Sequence, residues 1–471
     1  MSPRAVTLLA ISYAFTSRIH HLAYQSFWRD EIDAVELARR DLPSLLLMFR
    51  QVGENGPLYF LALHPWIGLV GSSDLAVRFF SLGAGVLAVP VLAALGARLF
   101  DRWTGAAAAA LLAANPYALW YSQDAKMYAW VCLIAALSFW LLLRAERSGR
   151  WLSWLGWAVC LAAGIYVHFV FAVVAGAEVV VVAGLALAGS PGARRGSLLI
   201  AALALLDLPL ARWQVPLLLG GLSTSYPFVP LDQIVTQLLG QFTFGVNPPT
   251  TGGLLLFGAL LLGGLALGAA PRPRRAHLLV LGWLALPVLG LFLVSLRIPL
   301  FLDRYLTGVL PAYVLGLAAG ARAIGHRSMV LLAGVLVAVA LVWLPVEWKQ
   351  PLVKQDFKRS ASYLDQHLTP NDTVVFLPSW ERTYFDYYHV PTVPYRSLAI
   401  PTVDVSGLPA VSHVVGGTLE SSSDLLWLVS VEPAYGDRGL QLQHWLDDHA
   451  QLLTTVQFAN LELRHYQGPI H

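Results

Sequence analysis

From about position 5 to about position 348 the sequence is a succession of apolar runs, most of them close to the roughly 20 residues that an α-helix needs to cross a bilayer. A backbone inside hydrocarbon has no water to satisfy its amides, so runs of this kind predict spanning helices. Only 13% of the residues are charged, against about 25% in an ordinary soluble domain. The deficit is confined to this part, and beyond Trp348 charges, prolines and short alternating segments return. A net charge of +3 with no basic block points away from nucleic acid as a partner. Cys132 and Cys160 both lie inside apolar runs and define no redox compartment. The run from Ala5 to Ala14 lacks a small-residue cleavage site and reads as a first span rather than a removable signal.

Arginine clusters between apolar runs mark cytoplasmic loops. Five are present: Arg98 and Arg102; Arg144, Arg147 and Arg150; Arg194 and Arg195; Arg272, Arg274 and Arg275; Arg322 and Arg327. Consecutive cytoplasmic loops require two spans between them. The runs 104–120 and 125–144, 151–167 and 169–188, 197–217 and 252–270, and 276–297 and 305–321 supply them. A first span near 5–24, a second at 75–97 and a last at 328–346 bring the expectation to about eleven. Residues 57–70 are apolar but short, and suit an interfacial or re-entrant helix. The expected fold is therefore an α-helical polytopic membrane domain over 1–348, with a long outer loop at 24–74. A small α/β domain over 349–471 follows it on the extracytoplasmic face of the cell membrane. The loop 24–74 holds Arg29, Arg39, Arg40 and Arg50, against the usual charge bias.

This topology gathers several polar groups at one membrane surface. Phe27-Trp28-Arg29-Asp30-Glu31 opens the first outer loop, and two adjacent carboxylates suit a general base and a group that positions it. The same residues also read as a helix start capped by Asp30. Tyr121-Ser122-Gln123-Asp124-Ala125-Lys126-Met127-Tyr128 lies where the third span exits; Asp124 and Lys126 suit a phosphate or an acceptor, or equally a capped helix with a snorkelling Lys. His168, at the turn between the fifth and sixth spans, is a substrate-binding candidate or a structural histidine. Arg304, in Asp303-Arg304-Tyr305, suits bidentate contact with an anion, or a local pair with Asp303. Asp207 and Glu178 sit deep in apolar runs, where ionisable residues are costly; no role is assigned to them, and a mutual contact is one option.

Taken in order, Trp28-Arg29-Asp30-Glu31, Gly56-Pro57-Leu58-Tyr59, His64-Pro65-Trp66, Gly71-Ser72-Ser73-Asp74 and Arg78-Phe79-Phe80-Ser81 resemble the bacterial members of glycosyltransferase family 39. The Tyr121–Tyr128 segment and Asp303-Arg304-Tyr305 extend the likeness. These are protein-mannosyltransferase-like enzymes of the GT-C class, relatives of the aminoarabinose transferases of lipid A. The similarity is dense over residues 10 to 170. It implies a polyprenyl-phosphate-linked sugar donor and a protein, lipid or glycan acceptor, with inverting transfer on the outer face. It also implies Asp30 as catalytic base, Glu31 beside it and Asp124 as a second acidic group. Lys126 and Arg304 take the donor phosphate, His168 matches a Tyr-x-His step, and Tyr59 and Tyr128 join the substrate-binding set. Asn55-Gly56 departs from the family's more usual His-Pro, and Lys126 replaces a usual Arg, which removes the fork geometry. Some relatives use a divalent metal, for which Asp30, Glu31 and Asp124 are the available oxygen ligands, although their spacing is no metal motif.

In the C-terminal part, Asp356 to His367 has helical periodicity, while Thr373–Leu377, Leu425–Val431 and Leu461–Tyr466 read as strands. No catalytic motif is visible there, and presenting acceptor or covering the active site are both open to it. The outer loop 218–251, rich in Pro, Gly and aromatics, is expected to shape the pocket. Two other readings stand beside the enzyme: a multispan transporter or lipid flippase, and an inactive scaffold relative.

Overall fold

The computed structural model describes residues 1–48, 56–220, 226–246, 274–325, 354–370, 372–403, 407–419, 424–432 and 440–469, with the single positions 327, 334 and 437. The expected span at 252–270 and, apart from position 334, that at 328–346 lie outside the described residues, as do Arg50, Asn55, Arg272, Trp348, Lys349 and parts of the loop 218–251. The described chain divides into two compact units, one of residues 1–22 and 37–348 and the other of residues 23–36 and 349–471.

In the first unit the apolar runs form helices. They are α1 (Pro3–Ile19), the end of α2 (Arg29–Arg39), α3 (Leu42–Met48), α4 (Pro57–Val70), α5 (Asp74–Leu99), α6 (Arg102–Ala114) and α7 (Pro116–Ser122). The series continues with α8 (Tyr128–Ser148), α9 (Trp151–Val167), α10 (Ala172–Leu187), α11 (Pro191–Leu219), α12 (Leu231–Phe244), α13 (Arg274–Ser295) and α14 (Leu310–Ile324). Among the described residues six helical stretches are long and apolar enough to cross a membrane, α10 and α14 being counted with the 3-10 turns that lead into them from Phe169 and Asp303, and α4 and α9 are shorter apolar helices. Large apolar side chains stand exposed on the long helices, among them Leu187, Leu198 and Leu205 at 90%, 77% and 69%. Water would penalise such a surface, whereas lipid would not. The chain is a multi-pass membrane protein, mostly α-helical.

The expected single span 104–120 is two helices. Pro116 disfavours the helical conformation at the residue before it, and Asn115 is extended at φ −68°, ψ 122°. Its side chain then accepts from the Ala118 amide at 2.8 Å and starts α7. Ala106 to Ala109, all nearly fully buried, let α6 pack closely within the bundle. Glu178 accepts from the Ser138 hydroxyl at 2.5 Å and the Trp157 indole at 2.7 Å, so these donors, and not Asp207, are its partners. At α4, Gly56 has φ +82°, and a Cβ there would meet the Val167 carbonyl oxygen at 2.7 Å, so the Gly-Pro start of this helix admits no larger residue.

The second unit carries a five-stranded sheet in the order β2-β1-β3-β5-β4, with β1 Asp372–Leu377, β2 Arg396–Ala399, β3 Leu425–Val431, β4 Ala450–Phe458 and β5 Leu461–Pro469. β1 runs parallel to β2 and β3, with Val374 opposite Trp427, while β5 is antiparallel to both β3 and β4. Helices α15 (Phe357–His367), α16 (Glu381–Asp386), α17 (Leu408–Gly416) and α18 (Gln441–His449) complete it. Val375, Leu377, Leu426, Leu428, Leu442 and Leu446 lie in its core.

Candidate functional site

In the first unit the site residues stand on the segment that follows the α6–α7 break. The last carbonyls of α6 have no partner within their own helix. Arg18, fully buried on α1, donates to the carbonyls of Ala113 at 2.9 Å and Leu112 at 3.3 Å, while its Nε donates to Ser122 Oγ at 3.0 Å. One guanidinium therefore caps α6 and holds the end of α7. Gln123 ties the next residue to α1 by donating to the carbonyls of Arg18 and His20 at 2.9 and 2.8 Å. Arg18 was invisible to motif reading; its only signal is a charge at the end of an apolar run.

Helix α7 presents Tyr117 and Tyr121 on one side, and both hydroxyls donate to Asp303 Oδ2, at 2.9 and 3.3 Å. This places Asp303-Arg304-Tyr305 beside the Tyr121–Tyr128 segment, two stretches that lie far apart in the sequence. The Arg304 guanidinium sits 5.9 Å from the centre of the Tyr128 ring, and that ring lies 5.1 Å from Tyr121. His168 is 2% exposed and packs against Tyr305 at 5.0 Å and Tyr128 at 5.9 Å. Its Nδ1 accepts from the Val170 amide at 3.2 Å, so the proton of the neutral ring belongs to Nε2. That Nε2 is buried and makes no hydrogen bond. Burial, with Arg304 and Lys126 as neighbouring cations, pushes the His168 imidazole down to about 3. Lys126 is half-buried, with its ammonium 5.9 Å from the Phe60 ring and its carbonyl held by Ser81 Oγ at 3.0 Å. Tyr59 is buried and packs against Phe60 and Phe80, and Asp124 is buried at 1% exposure. Arg304, Lys126, His168 and Tyr128 are thus one neighbourhood: two cations and a neutral N–H donor with aromatic walls. Such a set is suited to an anionic oxygen.

Asp30 and Glu31 belong to the second unit, in the first turn of α2. Glu31 is fully buried; its Oε2 accepts from Lys354 Nζ at 3.0 Å and from the Trp28 amide at 3.4 Å. Asp30 is partly exposed. Arg29 lies 3.6 Å from Glu381, whose carboxyl burial pushes up to about 7 against the pull of Arg29. Among the described residues no group of three or more His, Cys, Asp or Glu side chains is arranged to hold a metal ion. Lys354 carried no signal in the sequence, because its partner lies more than 300 positions away.

The sequence profile of the family described as dolichyl-phosphate-mannose-protein mannosyltransferase matches residues 54–212, which is less than half of the chain. No curated protein matches. Among solved structures, ArnT from Cupriavidus metallidurans bound to undecaprenyl phosphate is similar with a TM-score of 0.59 and 14% identity, over 97% of each chain. The Archaeoglobus fulgidus oligosaccharyltransferase in complex with Zn and sulfate gives 0.58 and 13%, over 97% of this chain and 73% of its own. The arabinofuranosyltransferase AftD from Mycobacteria gives 0.52 and 15%, over 100% of this chain and 40% of its own. At such identities the likeness is one of fold alone.

Proposed function

We propose that the chain transfers a sugar from a polyprenyl-phosphate-linked donor to a hydroxyl of a protein, lipid or glycan acceptor at the outer face of the membrane. The observation that carries this reading is the neighbourhood of Arg304, Lys126 and neutral His168, whose buried Nε2 makes no hydrogen bond. Such a site, next to lipid, suits a lipid-linked phosphate, and the similar ArnT structure is one bound to undecaprenyl phosphate. In the proposed reaction Asp30 takes the proton of the acceptor hydroxyl as its oxygen bonds to the anomeric carbon. The bond from that carbon to the phosphate oxygen breaks, the electron pair stays on the phosphate, and Lys126 and Arg304 meet the resulting charge. A single displacement inverts the anomeric centre. Asp124 and Tyr59 complete the proposed site. A divalent metal has no support from the residues proposed for it: among the described residues Asp30, Glu31 and Asp124 form no group arranged to hold one, and Glu31 Oε2 already accepts from Lys354.

The test is donor-dependent glycosyl transfer by the purified chain, set beside uptake into vesicles. Transfer without uptake supports the enzyme, and uptake without transfer supports a carrier. Asp30→Asn keeps the size and capping ability of the side chain and removes the proton acceptor. It is expected to stay folded, bind donor and lose roughly 100-fold or more in turnover, with Glu31→Gln costing less. Full turnover by folded Asp30→Asn ends the assignment of the base.

A further inference from the structure

Lys354 is 8% exposed and Glu31 is fully buried. Burying a carboxylate and an ammonium costs each of them its hydration, and an apolar pair of the same volume is commonly as stable or more so. Stability alone therefore gives no reason for an ion pair here, whereas direction does. Glu31 Oε2 is fixed from two sides, by the Lys354 ammonium at 3.0 Å and the Trp28 amide at 3.4 Å, and the same ammonium lies 5.9 Å from the Trp28 ring. Successive residues of a helix point about 100° apart, so fixing Glu31 inward also fixes the direction in which Asp30 leaves the helix.

The surrounding residues hold the same turn within this unit. Ser26 Oγ donates to the Gln355 carbonyl at 2.7 Å, and the Phe27 amide donates to Tyr388 Oη at 2.9 Å. Further along, Arg29 pairs with Glu381 at 3.6 Å and Tyr384 donates to Asp33 at 3.4 Å. Of these contacts only Lys354 brings a full charge to a fully buried carboxylate next to Asp30.

We propose that Lys354 is a positioning residue for Asp30: by anchoring the buried carboxylate of Glu31 it fixes the first turn of α2, so that the C-terminal segment takes part in catalysis without touching substrate. This rests on the reading of Asp30 as the base.

The experiment uses the full-length purified chain and a synthetic polyprenyl-phosphate-linked hexose or pentose. It measures turnover, donor affinity and thermal melting for Lys354→Met, Lys354→Arg and the double variant Lys354→Met/Glu31→Gln. Lys354→Met is expected to melt earlier, because it leaves Glu31 buried without its cation. The double variant removes both charges and is expected to recover the melting temperature, yet to stay at least tenfold low in turnover with donor affinity unchanged. Lys354→Arg, which keeps the charge, is expected to retain most of both. Turnover that returns with the melting temperature in the double variant would show a purely structural pair and overturn the proposal. So would parental turnover in folded Lys354→Met. Failure of the underlying reading shows elsewhere, as an inactive parent chain or a fully active Asp30→Asn.

Discussion

Arg304 and Lys126 both lie close enough to His168 to oppose its protonation, and removing either should be felt first in donor binding. Each Ala variant loses a charge-assisted contact of about 1.5–3 kcal/mol, which corresponds to roughly 10- to 150-fold in affinity. Lys126→Arg restores the charge and should bind better than Lys126→Ala; parental affinity in both Ala variants would mean that the phosphate is held elsewhere. His168 gives a pH signature of its own. The folded chain holds it near 3 where the ordinary value is 6.5, so the unfolded chain takes up a proton that the folded chain refuses. Its stabilising effect is complete above about 6.5 and is lost as the pH falls from there towards 3. Melts of the parent and His168→Asn between pH 7 and pH 4 should show the parent losing stability more steeply, by up to about 1.4 kcal/mol per pH unit. Equal slopes would remove the buried neutral histidine from the account.

What was legible in the sequence differed between elements for physical reasons. Strands β1 and β3 are almost wholly buried and read as continuous apolar runs, Thr373–Leu377 and Leu425–Val431, so composition shows them. Strands β2 and β4 stand at the sheet edges, with much of their length partly or fully exposed, and their sequences carry weaker patterning. The α6–α7 break was written in Asn115-Pro116, yet the length and apolarity of 104–120 outweighed it as a sign of one span. Motif order placed Lys126, His168 and Arg304 among the candidates, and the structure brings these together; the parts that hold α7 in place, Arg18 and Ser122, depend on contacts over 94 to 104 positions. That support can be tested at Gly85 of α5. A Cβ there would stand 2.0 Å from Ser122 Oγ and 3.3 Å from Arg18 Nε, while one at Gly83 of the same helix meets nothing within 4 Å. Gly85→Ala should lower stability by about 1–3 kcal/mol and weaken donor binding through α7, with Gly83→Ala near the parent in both. Equal melts for the two variants would show that α7 does not depend on this packing.

For the whole molecule the open quantity is the side of the membrane on which the site lies, and the arginine count of the first loop is the obstacle to placing it outside. Two of those arginines have local uses. Arg29 pairs with Glu381 at 3.6 Å, and Arg39 donates to Ser72 Oγ at 2.5 Å. Partnered cations of this kind serve the fold as well as orientation, so they weigh less against the five clusters on which the expectation of an outer loop rests. The helix α4 adds a second argument. Its 14 residues reach about 21 Å at 1.5 Å per residue, short of the roughly 30 Å of the hydrocarbon core, so its two ends are expected on one side. Ser73, exposed and just beyond the C-terminal end of α4, reports on that side. With Cys132→Ala and Cys160→Ala removing the native thiols, Ser73→Cys should react with a membrane-impermeant maleimide added to intact cells. Reaction only after the membrane is opened would place the loop inside and carry Lys126, His168 and Arg304 to the cytoplasmic face with it. A lipid-linked donor used at the outer surface would then lose its support.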